Sequence, residues 1–315
     1  MIPNIIHFVF GLDKDFGGKP FSFLHYLAVY SAWKVNRPDK ILFHYHYEPD
    51  TVWWKEAKPY VQLNKVDVPE EVFGNPISHF AHKADIIRLR QLMEHGGVYL
   101  DLDVLCLNPF SPLLSHRMVM APQAGRGLCN AVLLAEAKSE FLAKWYDAYR
   151  TFDKEVWDWH SVQLPFDLWR QHPDLIHVEG PYSFFYPLHD EPASMYLWSR
   201  RVSHRYKFSW MHLRLQEHSG GPARLRSPLR YIAHTLLPMM WHERRLSRAY
   251  CVHLWESVWW DMYLRDFSPA YILKGSSGFA RVCRTVIGEE ELTRVARIYD
   301  GDKPSQSRVD STVVV

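Results

Sequence analysis

The chain has 315 residues, of which 47% are hydrophobic and 23% charged, with a formal net charge of +2. That composition supports a folded core and excludes wholesale disorder, and the near-neutral balance excludes a general nucleic-acid binder. Four cysteines (Cys106, Cys129, Cys251 and Cys283) without a Cys-x-x-Cys spacing exclude a disulfide scaffold and a cysteine zinc site.

From the N-terminus, Pro3 is followed by the apolar run Ile5, Ile6, Phe8, Val9 and Phe10, which predicts a strand. Nothing in this opening has the basic and long apolar regions of a signal peptide. Residues 21–35 carry Phe23, Leu24, Leu27 and Tyr30 at helical spacing. Pro38-Asp39 then breaks the chain. Residues 41–47 read as a second strand, and 61–68, with Val61, Leu63, Val66 and Val68, as a weaker one. The pattern over 78–95 predicts a helix capped by Ser78, with Ile86, Leu89, Leu92 and Met93 on one face and Gly96-Gly97 as its stop. A strand over 98–104 follows directly. This alternation predicts an α/β sandwich around a mixed, mainly parallel sheet. Short strands are expected near 119–121 and 176–178, and helices dominate from about 135 to 250. No linker or internal repeat is evident. The expected layout is one catalytic domain over 1–275, with a helical, basic insertion at about 190–250, and a C-terminal helix and flexible tail over 276–315.

Between Arg200 and Tyr250 stand eleven lysines and arginines against only Glu217 and Glu243, interleaved with large apolar residues. Two readings fit: peripheral contact of residues 200–250 with an anionic membrane, or a solvated helical face with snorkelling arginines. No apolar run reaches 18 residues, so no segment is predicted to span a bilayer. The expected location is cytoplasmic, peripheral on the inner face of the membrane.

The most informative stretch is HKADIIRLRQLMEHGGVYLDLDV, residues 82–104. Strand alternation puts Tyr99, Asp101 and Asp103 on one face and Val98, Leu100, Leu102 and Val104 on the other. Two carboxylates on one face repel unless a cation or strong donor sits between them, and hard oxygen ligands suit Mg²⁺ or Mn²⁺. The alternative is a pair of exposed loop carboxylates. Asp85 and Arg88, three apart on the preceding helix, are either ligand-binding groups or a plain helical salt bridge. Asn130, after Gly125 and Gly127, either contacts a sugar or caps a following helix. His253, in the run CVHLW, is either a metal ligand or a satisfied core residue.

The run from Asp85 to Val104 resembles the signature of glycosyltransferase family 32, whose members contain a DXD motif. That grouping resembles the yeast-type mannosyltransferases, the lactosylceramide galactosyltransferase and, more distantly, the clostridial glucosylating toxins. Further resemblance lies in Ile2-Pro3-Asn4-Ile5-Ile6-His7, in Ser31-Ala32-Trp33 before Asn36-Arg37-Pro38-Asp39, and in Gly127–Asn130. It continues in Gly180-Pro181, in Phe185-Tyr186-Pro187 and in Val252-His253-Leu254-Trp255, with Trp259 beyond. The resemblance implies a GT-A fold, a nucleotide-sugar donor (a UDP-sugar ahead of a GDP-sugar), Mn²⁺ or Mg²⁺, and retention of anomeric configuration. The acceptor is expected to be a glycan or lipid-linked glycan. By the same resemblance Asp101, Asp103 and His253 hold the metal, and Asp85 and Arg88 hold donor hydroxyls. His7, Phe8 and Val9 flank the base, Asp101 approaches the ribose, and Trp255 and Trp259 cover the diphosphate; Tyr99, on the face of Asp101, either touches the ribose or is a packed aromatic. Charge building on the leaving phosphates would be offset by the cation and a nearby imidazole. Two other readings remain at this stage: a haloacid-dehalogenase-like phosphatase using the same Asp-x-Asp, and a sugar or lipid-headgroup binder without turnover.

Overall fold

The apolar run after Pro3 becomes strand β1 (Ile5–Phe10), the axis of the sheet in this computed structural model, which describes residues 1–123, 125–189, 194–198, 237–265 and 267–301. Helix α1 (Phe23–Asn36) follows, buried along most of its length, because the sheet takes one side and C-terminal helices the other. Strands β2 (Lys40–Tyr45) and β3 (Gln62–Lys65) then add in parallel.

Helix α2 (Phe80–His95) is capped by His79, whose Nδ1 accepts from Ala81 N at 3.1 Å, and not by Ser78 as expected. Gly96 (φ 64°) ends the helix, and its N–H returns to Leu92 O. Gly97 (φ 118°) starts β4 (Gly97–Leu100) so close to β1 that an added Cβ would sit 2.4 Å from Ile5 O. The expected strand over 98–104 is interrupted. The chain leaves the sheet at Asp101, turns with Val104 N donating to Asp101 O, and resumes as β5 (Val104–Cys106).

Strands β6 (Met118–Met120), β7 (Val132–Ala135) and β8 (His177–Val178) complete the main sheet, in the order β8-β6-β7-β4-β1-β2-β3. Only β7 runs antiparallel to its neighbours in this sheet, so the sheet is mixed and mainly parallel, as expected. Late in the chain β9 (Cys251–His253) pairs antiparallel with β5.

Apolar side chains fill both faces of the sheet. Helices α3 (Gly278–Ile287) and α4 (Glu289–Gly301) bury Phe279, Cys283, Ile287, Leu292 and Val295 in the same core as α1. The core therefore continues past residue 275, and its C-terminal part holds two helices where one was expected. Of the basic insertion, helical turns at Ser194–Trp198 and Leu237–Leu246 are described. Residues 199–236 and the tail from 302 lie outside the described residues, and so does most of the expected membrane-facing segment. No helix among the described residues is long and apolar enough to cross a membrane.

Candidate active site

At the C-terminal end of β4, three partly independent supports converge. The first is α2. Asp85 and Arg88 are both buried, and Arg88 Nη2 lies 3.2 Å from Asp85 Oδ1. Arg88 Nη1 reaches Asp101 Oδ1 at 3.1 Å and donates to Asn130 O at 2.9 Å, while the guanidinium lies 4.4 Å from the centre of the Tyr99 ring. One planar fork thus ties the helix, the Asp turn and the entry to β7 together, a task that needs the rigid spread of a guanidinium rather than a lysine's single nitrogen.

The second support is the segment before β7. Asn130 Nδ2 donates to Asp85 Oδ1 at 2.7 Å. The helix that Asn130 was expected to cap does not exist; a strand follows, and the amide serves Asp85 instead. Tyr99, buried on β4, donates its hydroxyl to Asp101 Oδ1 at 2.6 Å. Neither Asp85 Oδ2 nor Asp101 Oδ2 has a protein hydrogen bond among the described residues.

The third support is β9. Pairing Val104 with His253 brings His253 Nε2 to 3.1 Å from Asp103 Oδ1. Glu256 N donates to Asp103 Oδ2 at 2.7 Å, and Leu254 N donates to Asp103 O at 2.9 Å. Asp101, Asp103 and His253 can place one ligand atom each within 4.8 Å of one another. The two aspartates share a side because of the turn after Leu100, and not through the pleat alternation assumed from sequence.

The electrostatics separate the two carboxyls. Burial raises Asp101, and the neighbouring Asp103 adds to this; Arg88 only partly offsets them. Burial would raise Asp103 as well, but the His253 imidazole, with the Glu256 N–H, outweighs it and holds Asp103 below 3.8. Burial alone would lower His253; Asp103 and then Asp101 overcome that, so its pKa rises above 6.5. A proton on His253 supplies the positive charge that two close carboxylates require. A divalent cation meets the same demand, and the donor set of two carboxylates and an imidazole suits Mn²⁺ or Mg²⁺.

The remaining expected residues lie apart from this centre or beside it. His7 is fully buried on β1, with Nε2 2.8 Å from Gly96 O and Nδ1 3.0 Å from His44 Nε2. His44 Nδ1 continues the chain to Asn64 Nδ2 at 2.8 Å. The bonding fixes the tautomers: His7 donates to the carbonyl, His44 donates to His7, and Asn64 donates to His44. Burial lowers both imidazoles, to about 4 for His7 and about 3 for His44. Phe8 is core, and Val9 packs against the opposite face. His7 and Phe8 are taken up by packing within β1, whereas Val9 is half-buried toward its C-terminal end. Beyond the ends of β1, β2 and β3 there is instead a cleft of about 330 Å³ lined by Leu12, Asp13, His46, Tyr47, Asp67 and Lys83. Sequence reasoning missed it, although most of its residues lie at or just past the C-terminal ends of the predicted strands, with Lys83 added from α2. Trp255 (φ 52°) packs at a tilt against His253, 4.1 Å between ring centres, and donates Nε1 to Pro187 O at 3.2 Å. Trp259 lies one turn on, half-buried against Tyr263, with its Nε1 unpartnered among the described residues.

Comparison with known proteins agrees with this geometry. The family described as "Glycosyltransferase sugar-binding region containing DXD motif" matches residues 28–120. "Glucan organizing enzyme 1" of Cryptococcus neoformans var. grubii is 30% identical over 305 residues, covering 92% of this chain and 72% of the relative. The chain belongs to the DXD-containing glycosyltransferase family. Among solved structures, it is similar to the apo form of the glycosyltransferase GlyE of Streptococcus pneumoniae TIGR4. The identity is 12% and the TM-score 0.45, with 98% of this chain and 66% of that one covered. It is also similar to mouse xyloside xylosyltransferase 1, at 11% identity and a TM-score of 0.43, covering 82% and 99%. In this DXD glycosyltransferase the α/β sandwich is of the GT-A type, with the Asp-x-Asp turn at the end of its fourth strand. The phosphatase reading falls with family membership.

Proposed function

We propose that this glycosyltransferase moves a hexose, with retention, from a nucleotide-sugar to a glycan, and that it depends on a divalent cation held by Asp101, Asp103 and His253. The observation that carries the reading is the convergence of those three side chains, from two segments far apart in sequence, on one point at the C-terminal edge of the sheet. Open α/β sheets bind ligands at that edge. When bound, Mn²⁺ or Mg²⁺ supplies charge to the phosphate oxygens of the leaving nucleoside diphosphate.

The chain's own residues do the rest. The free Oδ2 of Asp85 and the amide of Asn130 hold hydroxyls of the donor sugar. Arg88 fixes Asp85 and Asp101 in place and partly offsets the rise in their pKa values that burial causes. Trp255 and Trp259 cover the diphosphate and exclude water, and the cleft past β1–β3 takes the base, with Tyr47 and Leu12 as its apolar walls. A UDP-sugar is the first donor to try and a GDP-sugar the second. The name of the Cryptococcus relative concerns glucan, and by that likeness a glycan is the proposed acceptor. Peripheral contact with an anionic membrane through residues 200–250 belongs to the same proposal.

The test is release of nucleoside diphosphate from a panel of UDP- and GDP-sugars with Mn²⁺, with EDTA, and with Asp103→Asn. The reading expects one donor to be hydrolysed slowly, with EDTA and the substitution each removing about 100-fold or more of the rate. A wild-type protein that turns over and binds no donor sinks it and leaves a non-catalytic binder.

A further inference from the structure

Glu256 does more than donate its N–H to Asp103. Its Oε1 lies 2.9 Å from His25 Nε2, and its Oε2 lies 3.9 Å from Lys19 Nζ. His25 Nδ1 accepts from Ser22 N at 3.0 Å, so Nε2 carries the proton and donates to Glu256. The histidine bond is short and sits on the buried N-terminal turn of α1. The lysine contact is beyond hydrogen-bond reach. Lys19 is the loosely held member of this trio, about a quarter exposed, with its ammonium 5.5 Å from the Trp260 ring centre. It is presented by a tight turn in which Gly17 and Gly18 both have positive φ (63° and 74°), on the loop that leaves the C-terminal end of β1.

We infer that Lys19 is a further donor-binding residue, which leaves Glu256 to pair with the diphosphate of the nucleotide-sugar. The inference rests on the nucleotide-sugar reading above. The geometry carries it in three ways. Glu256 contacts both groups, its backbone N–H bonding Asp103 and its side chain lying near Lys19, so the ammonium is on the same side of the site as the carboxylate proposed to hold the cation. A lysine is a mobile point charge suited to phosphate oxygens. Its resting partner is a single carboxylate oxygen outside bonding distance, which a diphosphate with several oxygens outcompetes. Arg88, the guanidinium beside the Asp turn, is consumed by Asp85, Asp101 and Asn130.

The experiment measures binding of UDP, GDP, uridine and guanosine by calorimetry, in Mn²⁺ and in EDTA. The proteins are wild type, Lys19→Met, Lys19→Arg and Glu256→Gln. Lys19→Met is expected to weaken the diphosphate about tenfold or more while changing nucleoside affinity less than about twofold, in both media. Lys19→Arg keeps the diphosphate within about threefold, and Glu256→Gln, which removes the competing carboxylate, tightens it. Damage to the fold does not give that opposite sign. Unchanged diphosphate binding in Lys19→Met, or equal loss of nucleoside and diphosphate, overturns the inference while leaving the donor reading intact. Wild type that binds neither UDP nor GDP overturns the donor reading itself, and this inference with it.

Discussion

His253 Nε2 stands 3.1 Å from Asp103 Oδ1 because β9 pairs with β5, register Val104 to His253, outside the main sheet. A two-stranded ribbon therefore delivers the third member of the Asp101–Asp103–His253 cluster, and the backbone N–H of Glu256, just beyond it, closes on the other Asp103 oxygen.

That relationship sets the pH dependence of metal binding. His253 must lose its proton to ligate, and its pKa is raised above 6.5 because Asp103 outweighs burial. Mn²⁺ affinity should fall about tenfold per pH unit below that raised pKa. Calorimetric Mn²⁺ titrations at several pH values from 6 to 8 check this. His253→Gln should bind more weakly and lose the slope, whereas a pH-independent affinity in wild type counts against His253 as a ligand.

The His7–His44 chain makes the opposite statement about the fold. Both imidazoles are neutral when folded, with pKa values lowered to about 4 and about 3, chiefly by burial. The unfolded chain takes up these protons near pH 6.5, so stability from this pair is intact above that value. It is lost as pH falls toward 4, at up to about 1.4 kcal/mol per unit per imidazole. Thermal melts of wild type between pH 7 and 4 should show the decline. At pH 7, His7→Leu leaves Gly96 O and His44 Nε2 without partners and should cost about 2–4 kcal/mol.

Arg88→Lys keeps a charge but cannot serve Asp85, Asp101 and Asn130 together. We expect kcat/KM for donor turnover to fall about 100-fold or more, with most of the fold kept. Arg88→Met leaves the buried Asp85 and the half-buried Asp101 without their countercharge and should destabilise by about 3 kcal/mol in urea melts. Near-wild-type turnover in Arg88→Lys would show that the fork is not needed.

Gly97→Ala tests how tightly α2 is folded back beside β1. The new Cβ would meet Ile5 O at 2.4 Å and His7 Nε2 at 2.8 Å, on a backbone at φ 118°. Backbone on one side cannot yield, so we expect a loss of about 3 kcal/mol or more, or no soluble protein. Gly18→Ala, where an added Cβ meets nothing within 4 Å, is the control and should cost far less despite its positive φ.

Local sequence carried much of the result. The alternation of apolar runs located β1, β2, α2 and β4, because strand and helix periodicities are properties of short windows. The order Asp85, Arg88, Gly96-Gly97, Asp101, Asp103 fell within one such window and pointed to the site. Asn130 was legible as polar and preceded by Gly125 and Gly127, but its duty depended on whether a strand or a helix came next. Lys19 and Glu256 gave no local signal at all, since a lysine in a Gly-Gly turn reads as solvated.

What the sequence determined by itself is the alternating α/β architecture and the Asp-x-Asp segment, both written in contiguous residues where periodicity and turn chemistry act. What only the tertiary structure decided is which groups meet there. The turn at Asp101 points both aspartates to one side, the β5–β9 register brings His253 to Asp103, and packing on both faces of β1 closes His7 and Phe8 away from any ligand. Those choices are long-range: backbone pairing and close packing join segments with no common window, and the burial they create moves the charges of the site.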